Sequence, residues 1–207
     1  IRPTISMDAV LPLAELGAEP GIPVLADGAQ SVGSIPTHAA GFDFLTISGQ
    51  KWLCGPDATG ALVVREPEHL TVTSPSYFAQ TAYDPDGAYE PHAGARRHEQ
   101  GWWSQGTLRA MLAALSLRPG WCFERAWEAA ERCRELLGPL VEVVTPPVRS
   151  TLVSFRPHGE EPADVVSRLH TADVHVRELP GRGLVRVSCG WWTSDDDLDR
   201  LVAALHP

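Results

Sequence analysis

The chain has 207 residues and a formal net charge of -9, and its 43% hydrophobic content suits one large domain or two modest ones. The acidic balance argues against a nucleic-acid surface, which requires a stripe of basic residues. No run approaches the roughly 20 apolar residues of a membrane span. We therefore expect a protein that binds neither nucleic acid nor membrane.

Short apolar runs that end in polar residues indicate strands in the first half of the chain. After a helix expected at 11–16, we predict buried strands at 23–26, 42–47 and 60–64. Strands that alternate with helices or loops predict an α/β sheet. Ligands of such sheets gather beyond the carboxyl ends of the strands, and Asp27 and the segment 48–51 follow two of these strands.

The second half combines an irregular stretch with a small α+β unit. Residues 66–101 are rich in Pro, Tyr, Asp and Gly without periodicity, which predicts a long functional loop. Apolar periodicity predicts the remaining elements, which are helices at 107–117, 121–137, 162–170 and 195–205 and strands at 141–144, 151–155, 174–177 and 184–188. We expect Thr193 or Ser194 to cap the last helix, and we divide the chain into domains at 1–120 and 121–207.

The four cysteines are far apart and form no CxxC motif; they are Cys54, Cys122, Cys133 and Cys189. This spacing favours free thiols in a reducing cytoplasm over disulfides. Neither Cys nor His recurs at ligand spacing, so we expect no metal site. These features predict a cytoplasmic protein.

Lysine usage is the most informative feature of the composition. Lys51 is the only lysine among 17 basic residues. Arginine replaces lysine at most surface positions, but not where a neutral amine must attack a carbonyl, because the guanidinium stays protonated. Lys51 is therefore a candidate nucleophile.

Four segments carry a resemblance to a known family. They are Asp27-Gly-Ala-Gln-Ser-Val-Gly33, Asp43-Phe-Leu-Thr-Ile-Ser-Gly-Gln-Lys-Trp-Leu-Cys-Gly-Pro56, Ala95-Arg-Arg-His-Glu-Gln-Gly101, and Val185-Arg-Val-Ser188 with the acidic capped helix after Trp192. Together and in this order they resemble the class V aminotransferase family of pyridoxal phosphate enzymes. That family includes cysteine desulfurases, the isopenicillin N epimerase group and carbon–sulfur lyases.

The resemblance implies an architecture and a cofactor. The fold would be the α/β fold-type-I transferase fold, with part of the large, mainly parallel sheet domain followed by a small C-terminal α+β domain. The upstream part of the large domain, which supplies the phosphate loop and the ring-stacking aromatic, would be missing from the chain. The cofactor would be pyridoxal 5'-phosphate, the substrate an amino acid, and the active site would lie between the subunits of a homodimer.

The resemblance also implies a role for each candidate site residue. Lys51 would form the Schiff base and move the proton at the substrate α-carbon, and Asp27 would pair with the pyridinium nitrogen. Gln30 would donate to the ring phenolate oxygen. Ser48 and Gln50 would bind the phosphate. Arg186 would bind the substrate carboxylate through two contacts.

Two departures from the family pattern bear on the reaction. Gln50 and Trp102 stand where the family usually has a histidine and a threonine, so the phosphate grip and the contact with the partner subunit are altered. The segment between Val176 and Arg186 lacks the cysteine that desulfurases use, and we expect Cys189 to be buried and structural. We therefore favour an aminotransferase-like or carbon–sulfur lyase activity.

Three alternatives to this activity stay open. A cysteine desulfurase or an epimerase of the same family shares all of the motifs. A scaffold that kept the fold and lost the chemistry is a non-enzymatic alternative. A nucleotide-binding α/β protein is disfavoured, because neither GxGxxG nor GxxxxGK[ST] occurs.

Overall fold

The computed structural model describes residues 23–146 and 150–206, so the helix expected at 11–16 lies outside the described residues. The chain divides into two compact units. Of the described residues, the lysine unit contains 23–33 and Thr37–Arg118, and the C-terminal unit contains Ser34–Pro36, 119–146 and 150–206.

A three-stranded sheet organises the lysine unit. Its strands are β1 (Leu25–Asp27), β2 (Phe44–Ser48) and β3 (Gly60–Val64), in that spatial order. β1 pairs with β2 in parallel and sets Asp27 opposite Thr46, whereas β2 pairs with β3 antiparallel and sets Ser48 opposite Gly60. The expected α/β sheet is confirmed, and the parallel pair points both of its carboxyl ends to one edge.

The prediction that all three strands are buried is wrong for the described residues. Leu25 on β1 is 61% exposed, and Leu62 and Val63 on β3 are 46% and 38% exposed. The buried side chain of this sheet is Leu45 on the central strand, at 4% exposure. An apolar run shows what a strand is able to bury, but burial requires a second layer on its face. The described residues do not provide that layer over β1 and β3.

Residues 66–101 contain a β-hairpin where the sequence predicts only a loop. Its strands are β4 (Gln80–Tyr83) and β5 (Tyr89–Pro91), which pair antiparallel. Asp84 closes the turn, because its Oδ1 accepts hydrogen bonds from the amides of Asp86 at 2.9 Å and Ala88 at 3.2 Å, and Gly87 takes a φ of 90°. The loop prediction was wrong here because the strands are short, although the Asp-Gly pair in the turn is a hairpin signal.

The residue that follows helix α1 (Gln105–Leu117) is an arginine that joins two distant turns. Arg118 donates one guanidinium hydrogen bond to the carbonyl of Trp52 at 2.7 Å and another to the carbonyl of Gly33. Trp52 follows Lys51 directly, and Gly33 closes the segment that begins at Asp27. The arginine fork therefore holds the two candidate site segments against one another.

The C-terminal unit packs three helices with a four-stranded antiparallel sheet. The helices are α2 (Cys122–Leu137), α3 (Pro162–Thr171) and α4 (Asp195–Leu205), and the strands, in spatial order, are β6 (Glu142–Val143), β7 (Leu152–Arg156), β9 (Leu184–Ser188) and β8 (Arg177–Leu179). Their shared core includes Leu137, Phe155, Leu169, Val185 and Leu198, all at 3% exposure or less. The predicted elements are present, with one strand displaced.

That displaced strand was expected at 174–177 and lies at Arg177–Leu179. The residues before it serve the end of α3, because the amides of Ala172 and Val174 both donate to the Leu169 carbonyl, at 3.0 and 2.9 Å. Asp173 takes a φ of 58° in this turn. Closing the helix thus uses the residues that the apolar pattern assigned to the strand.

Ser194, one of the two expected caps, begins α4 in a capping box. Its hydroxyl accepts from the Asp197 amide at 3.2 Å, and the Asp197 carboxylate accepts from the Ser194 amide at 2.9 Å and from its hydroxyl at 2.8 Å. Thr193 instead accepts from the Gly190 amide at 2.9 Å. The bonds from the Ser194 amide and then its hydroxyl lower the pKa of Asp197.

We expect Ser194→Ala to lower the free energy of unfolding by about 1 kcal/mol at neutral pH, because the Asp197 amide loses its acceptor and the Asp197 carboxylate loses the hydroxyl donor while keeping the backbone amide. The lowered pKa of Asp197 adds stability above its unfolded pKa of about 3.9, and this stability is lost as the pH falls through the folded value. The difference in the free energy of unfolding between variant and wild type should therefore become smaller at acid pH. Urea unfolding at neutral and at acid pH measures this difference, with Ser167→Ala at an exposed position as the matched control. A difference that is independent of pH contradicts the prediction.

Arg118→Met should lower the free energy of unfolding by about 1–3 kcal/mol, because two backbone carbonyls lose a charged donor. Arg109→Met is the matched control, since Arg109 is an exposed residue of the helix that Arg118 follows. Chemical denaturation of the two variants measures the effect. Equal losses would show that the fork contributes no more than a surface arginine.

Candidate active site

The candidate site lies at the carboxyl edge of the β1–β2 pair. Asp27 is the last residue of β1 and Ser48 is the last residue of β2. Because these strands are parallel, both residues end at the same edge, and Lys51 follows Ser48 by three residues. Asp27, Gln50 and Lys51 are exposed, whereas Gln30 and Ser48 are half-buried.

Two hydrogen bonds orient the Asp27 carboxylate. Its Oδ1 accepts from the Thr46 hydroxyl and from the Ala29 amide, both at 3.0 Å. Both donors meet the same oxygen, so Oδ2 is the oxygen that can accept from a ligand. Sequence reasoning missed Thr46. The available signal was its position on the neighbouring strand, two residues before Ser48.

Trp52 contacts Gln30 through a specific hydrogen bond. Its indole Nε1 donates to Gln30 Oε1 at 3.1 Å, and the tryptophan is only 5% exposed. Indole nitrogen is a donor only, so the amide oxygen of Gln30 has to face it. The Gln30 nitrogen is then the part of the amide that can donate to a ligand. Sequence reasoning missed Trp52, since its partner lies 22 residues away.

A tight turn carries Lys51. The amide of Gly49 donates to the Thr59 carbonyl and the amide of Gly55 donates to the Gly49 carbonyl, each at 2.8 Å, while the Cys54 amide donates to Lys51 O at 2.9 Å. A Cβ at Gly49 would lie 2.3 Å from the Thr59 hydroxyl, so the turn requires glycine there. The backbone around Lys51 is therefore closely constrained while its side chain is exposed.

Arg186 belongs to the C-terminal unit, on β9. It stands opposite Ser154 on β7 and opposite Arg177 on β8. Its Nε is buried without a hydrogen-bond partner within the described residues, and so is the hydroxyl of Ser154. Burial, and then the neighbouring Arg177 charge, lower the pKa of Arg186. A half-buried guanidinium whose buried Nε has no partner among the described residues suits an anionic ligand, which would satisfy the donor and offset the charge.

Cys189 is buried, as expected from the sequence. It is 0% exposed and Cys133 is 1% exposed. A hydrogen bond with Cys133, followed by burial, raises the pKa of the Cys189 thiol far above its usual range. A thiol that resists ionisation is a poor nucleophile. None of the four cysteines forms a disulfide, and no group of three metal-ligating side chains occurs within the described residues.

A groove of about 540 Å³ lies beside α2 in the C-terminal unit. Its lining is mostly acidic and consists of Glu124, Trp127, Glu128, Glu131, Arg132, Glu135 and Ser150. Carboxylates repel a phosphate or a substrate carboxylate. We therefore do not assign the cofactor to this groove, and the residues predicted from the sequence do not line it.

The groups at the β1–β2 edge fit pyridoxal phosphate by their chemistry. Lys51 provides a primary amine, Asp27 a carboxylate with one oxygen held by two donors, and Gln30 an amide whose nitrogen can donate. Ser48 and Gln50 add a hydroxyl and an amide after β2. These are the groups that an aldehyde, a pyridine nitrogen, a phenolate and a phosphate require.

A family pattern and a curated relative match most of the chain. The sequence pattern of the family described as Aminotransferase class-V matches residues 7–201. The chain is 28% identical over 225 residues to isopenicillin N epimerase of Streptomyces clavuligerus, covering 95% of this chain and 56% of that protein. The chain therefore spans about half the length of this curated relative.

Solved structures show the same fold. The complex between the cystine C–S lyase C-DES and its product cysteine persulfide superposes with a TM-score of 0.82 at 26% identity, covering 94% of this chain and 56% of that one. Apo cysteine desulfurase of Thermococcus onnurineus NA1 gives a TM-score of 0.80 at 22% identity, covering 93% and 54%. A C-DES mutant with glycine covalently linked to its PLP cofactor gives 0.82 at 25% identity, covering 94% and 56%.

The architecture is thus that of fold-type-I pyridoxal phosphate enzymes. Within the described residues, no helix combines the length and apolar character that crossing a membrane requires. Since the family pattern extends over most of its length, the chain belongs to the class V aminotransferase family, whose members use pyridoxal phosphate.

Proposed function

We propose that the protein is a pyridoxal-phosphate-dependent enzyme that acts on an amino acid and carries its cofactor on Lys51. The observation that supports this most is the position of the only lysine. It lies on the turn after β2, at the edge of the sheet that also carries Asp27. The bond between Trp52 and Gln30 connects the same two segments.

Lys51 and Asp27 have complementary roles in this proposal. Lys51 would hold the cofactor through its side-chain amine, and that amine would move the proton at the substrate α-carbon. When bound, pyridoxal phosphate supplies an electron sink for the bond that breaks. Asp27 keeps the pyridine nitrogen protonated through a charge-assisted hydrogen bond, and Thr46 holds the carboxylate in place for it.

The remaining residues bind and orient. Gln30 donates to the phenolate oxygen of the ring, and Ser48 and Gln50 donate to the phosphate. Arg186 binds the substrate carboxylate. Its buried Nε, which has no hydrogen-bond partner in the described part of the chain, supports this role. Gln50 is neutral, so the phosphate grip depends on hydrogen bonding without an added positive charge.

Among the reactions of the family we favour a carbon–sulfur lyase or aminotransferase-like activity. Cys189 is buried against Cys133, which argues against a sulfur-accepting nucleophile at that position. A cystine C–S lyase is among the solved structures with this fold, and an isopenicillin N epimerase is among the sequence relatives. Epimerisation and desulfuration are the second candidates, since shared motifs do not select the bond that breaks.

We propose a cytoplasmic homodimer as the working form. An exposed aromatic cluster in the lysine unit supports a subunit contact, because aromatic side chains are enriched at interfaces. Its ring centroids are 5.4 Å apart for Tyr77 and Phe78 and 5.7 Å for Phe78 and Trp102, and Trp102 is 77% exposed. The free cysteines are consistent with a reducing compartment.

The decisive experiment is cofactor binding by wild type and Lys51→Ala. The wild type should turn yellow with pyridoxal phosphate and absorb in the near-visible range, because the lysine amine bonds to the aldehyde. Lys51→Ala should lose this band while keeping its far-UV circular dichroism, since an exposed side chain contributes little to stability. A wild type without the band, or a variant that keeps it, would refute the proposal.

A substrate screen then separates an enzyme from an inactive scaffold. Amino acids are added to the coloured protein, with readouts for keto acid, pyruvate, ammonia and sulfide. An enzyme changes its spectrum when its substrate is added, whereas a scaffold binds the cofactor without a spectral response. Pyruvate with sulfide would indicate lyase activity, and keto acid without ammonia would indicate transamination.

We expect Asp27→Asn to lower kcat by about a hundredfold or more with the screened substrate, because a neutral amide does not keep the pyridine nitrogen protonated. The yellow band should remain, since Lys51 is intact. Asp57→Asn is the matched control, as Asp57 is also exposed and lies in the same unit. Similar kcat values for both variants would show that Asp27 has no role in the reaction.

A further inference from the structure

We propose that Trp52 is a positioning residue, which sets the Gln30 amide so that its nitrogen donates to the phenolate oxygen of the cofactor. This inference rests on the proposed function. A glutamine amide has nearly the same shape in its two orientations but opposite chemistry, since one end donates and the other accepts. The family resemblance assigns a role to Gln30 but does not explain what selects its orientation.

The indole of Trp52 makes that selection. Its Nε1 lies 3.1 Å from Gln30 Oε1, and the ring is 5% exposed, so water has little access to compete for the bond. Because the indole N–H has no acceptor capacity, the flipped amide would place two donors against each other. The flipped orientation therefore loses one hydrogen bond and leaves a buried donor unsatisfied.

The backbone of Trp52 is itself held in place. Arg118 donates to its carbonyl at 2.7 Å. Gly33 packs directly on it, since a Cβ at Gly33 would lie 2.9 Å from Trp52 C and 3.0 Å from Trp52 Cβ, and Gly33 takes a φ of 91°. A larger residue at Gly33 would therefore push the tryptophan away. These contacts keep the indole within reach of Gln30 and fix the backbone next to Lys51.

A donor at the phenolate has a measurable consequence. A hydrogen bond to an ionised oxygen favours the ionised form and lowers its proton affinity. Without Trp52 the indole N–H no longer favours this orientation, and an amide turned the other way presents its oxygen to the phenolate. The bound cofactor should hold its proton more tightly as a result.

The test is a pH titration of the near-visible band of the bound cofactor. In Trp52→Phe, which keeps a buried ring but removes the N–H, the titration midpoint should rise by about one pH unit, and cofactor affinity should fall by about tenfold. Gln30→Glu is the second variant, because a carboxylate still accepts from the indole but does not donate. It should raise the midpoint as well, with the tryptophan and its packing intact.

Coupling between the two residues distinguishes orientation from packing. Trp52→Phe in a Gln30→Leu background should cause no further shift, because Trp52 acts through Gln30. Trp121→Phe, at an exposed residue of the C-terminal unit, should titrate like wild type. Additive shifts, or a wild-type midpoint in Trp52→Phe, would overturn the inference while the Lys51-dependent band still supports the proposed function. Loss of the band in the wild type would instead refute the proposed function.

Discussion

The parallel pairing of β1 with β2 is the constraint on which the rest of the candidate site depends. It sets Asp27 opposite Thr46 and directs both strand ends to one edge. The Thr46 hydroxyl then holds the carboxylate at 3.0 Å, and the turn that follows β2 presents Lys51 at the same edge. A register shift of one residue would turn Thr46 to the opposite face and leave Asp27 without its side-chain donor. The register of the strand pair therefore determines the geometry of the candidate site.

The elements were predictable where local pattern decides structure. The helices of the C-terminal unit and the strands at 60–64 and 184–188 follow their apolar periodicity closely. Prediction failed where a competing local interaction decides, as at Asp173, whose turn closes a helix and delays the next strand. It failed again for burial of Leu25, because a strand's composition does not reveal whether another layer covers it. The hairpin at 80–91 was missed for a different reason. Its strands are too short to show a pattern, although the turn signal between them is present.

The residues of the candidate site were also predictable only in part. Residues expected to meet a ligand, such as Asp27 and Lys51, carry chemistry that is recognisable in one dimension. The residues that hold Asp27 and Lys51 in place carry no chemistry that the sequence alone makes recognisable. Thr46, Trp52 and Arg118 act across sequence separations of 19, 22 and 66 residues, so their roles follow from register and packing. A threonine, a tryptophan and an arginine are ordinary residues until their partners are known.

The exposed lysine on its rigid turn has a practical consequence for chemical labelling. Lys51 offers the only side-chain amine of the polypeptide, and its side chain faces solvent. An acylating reagent, or an aldehyde followed by borohydride, therefore modifies one side chain rather than a population of surface amines. A single mass increment on the peptide that contains residue 51 would report occupancy of this position directly, and a bound aldehyde ligand would protect it from the reagent.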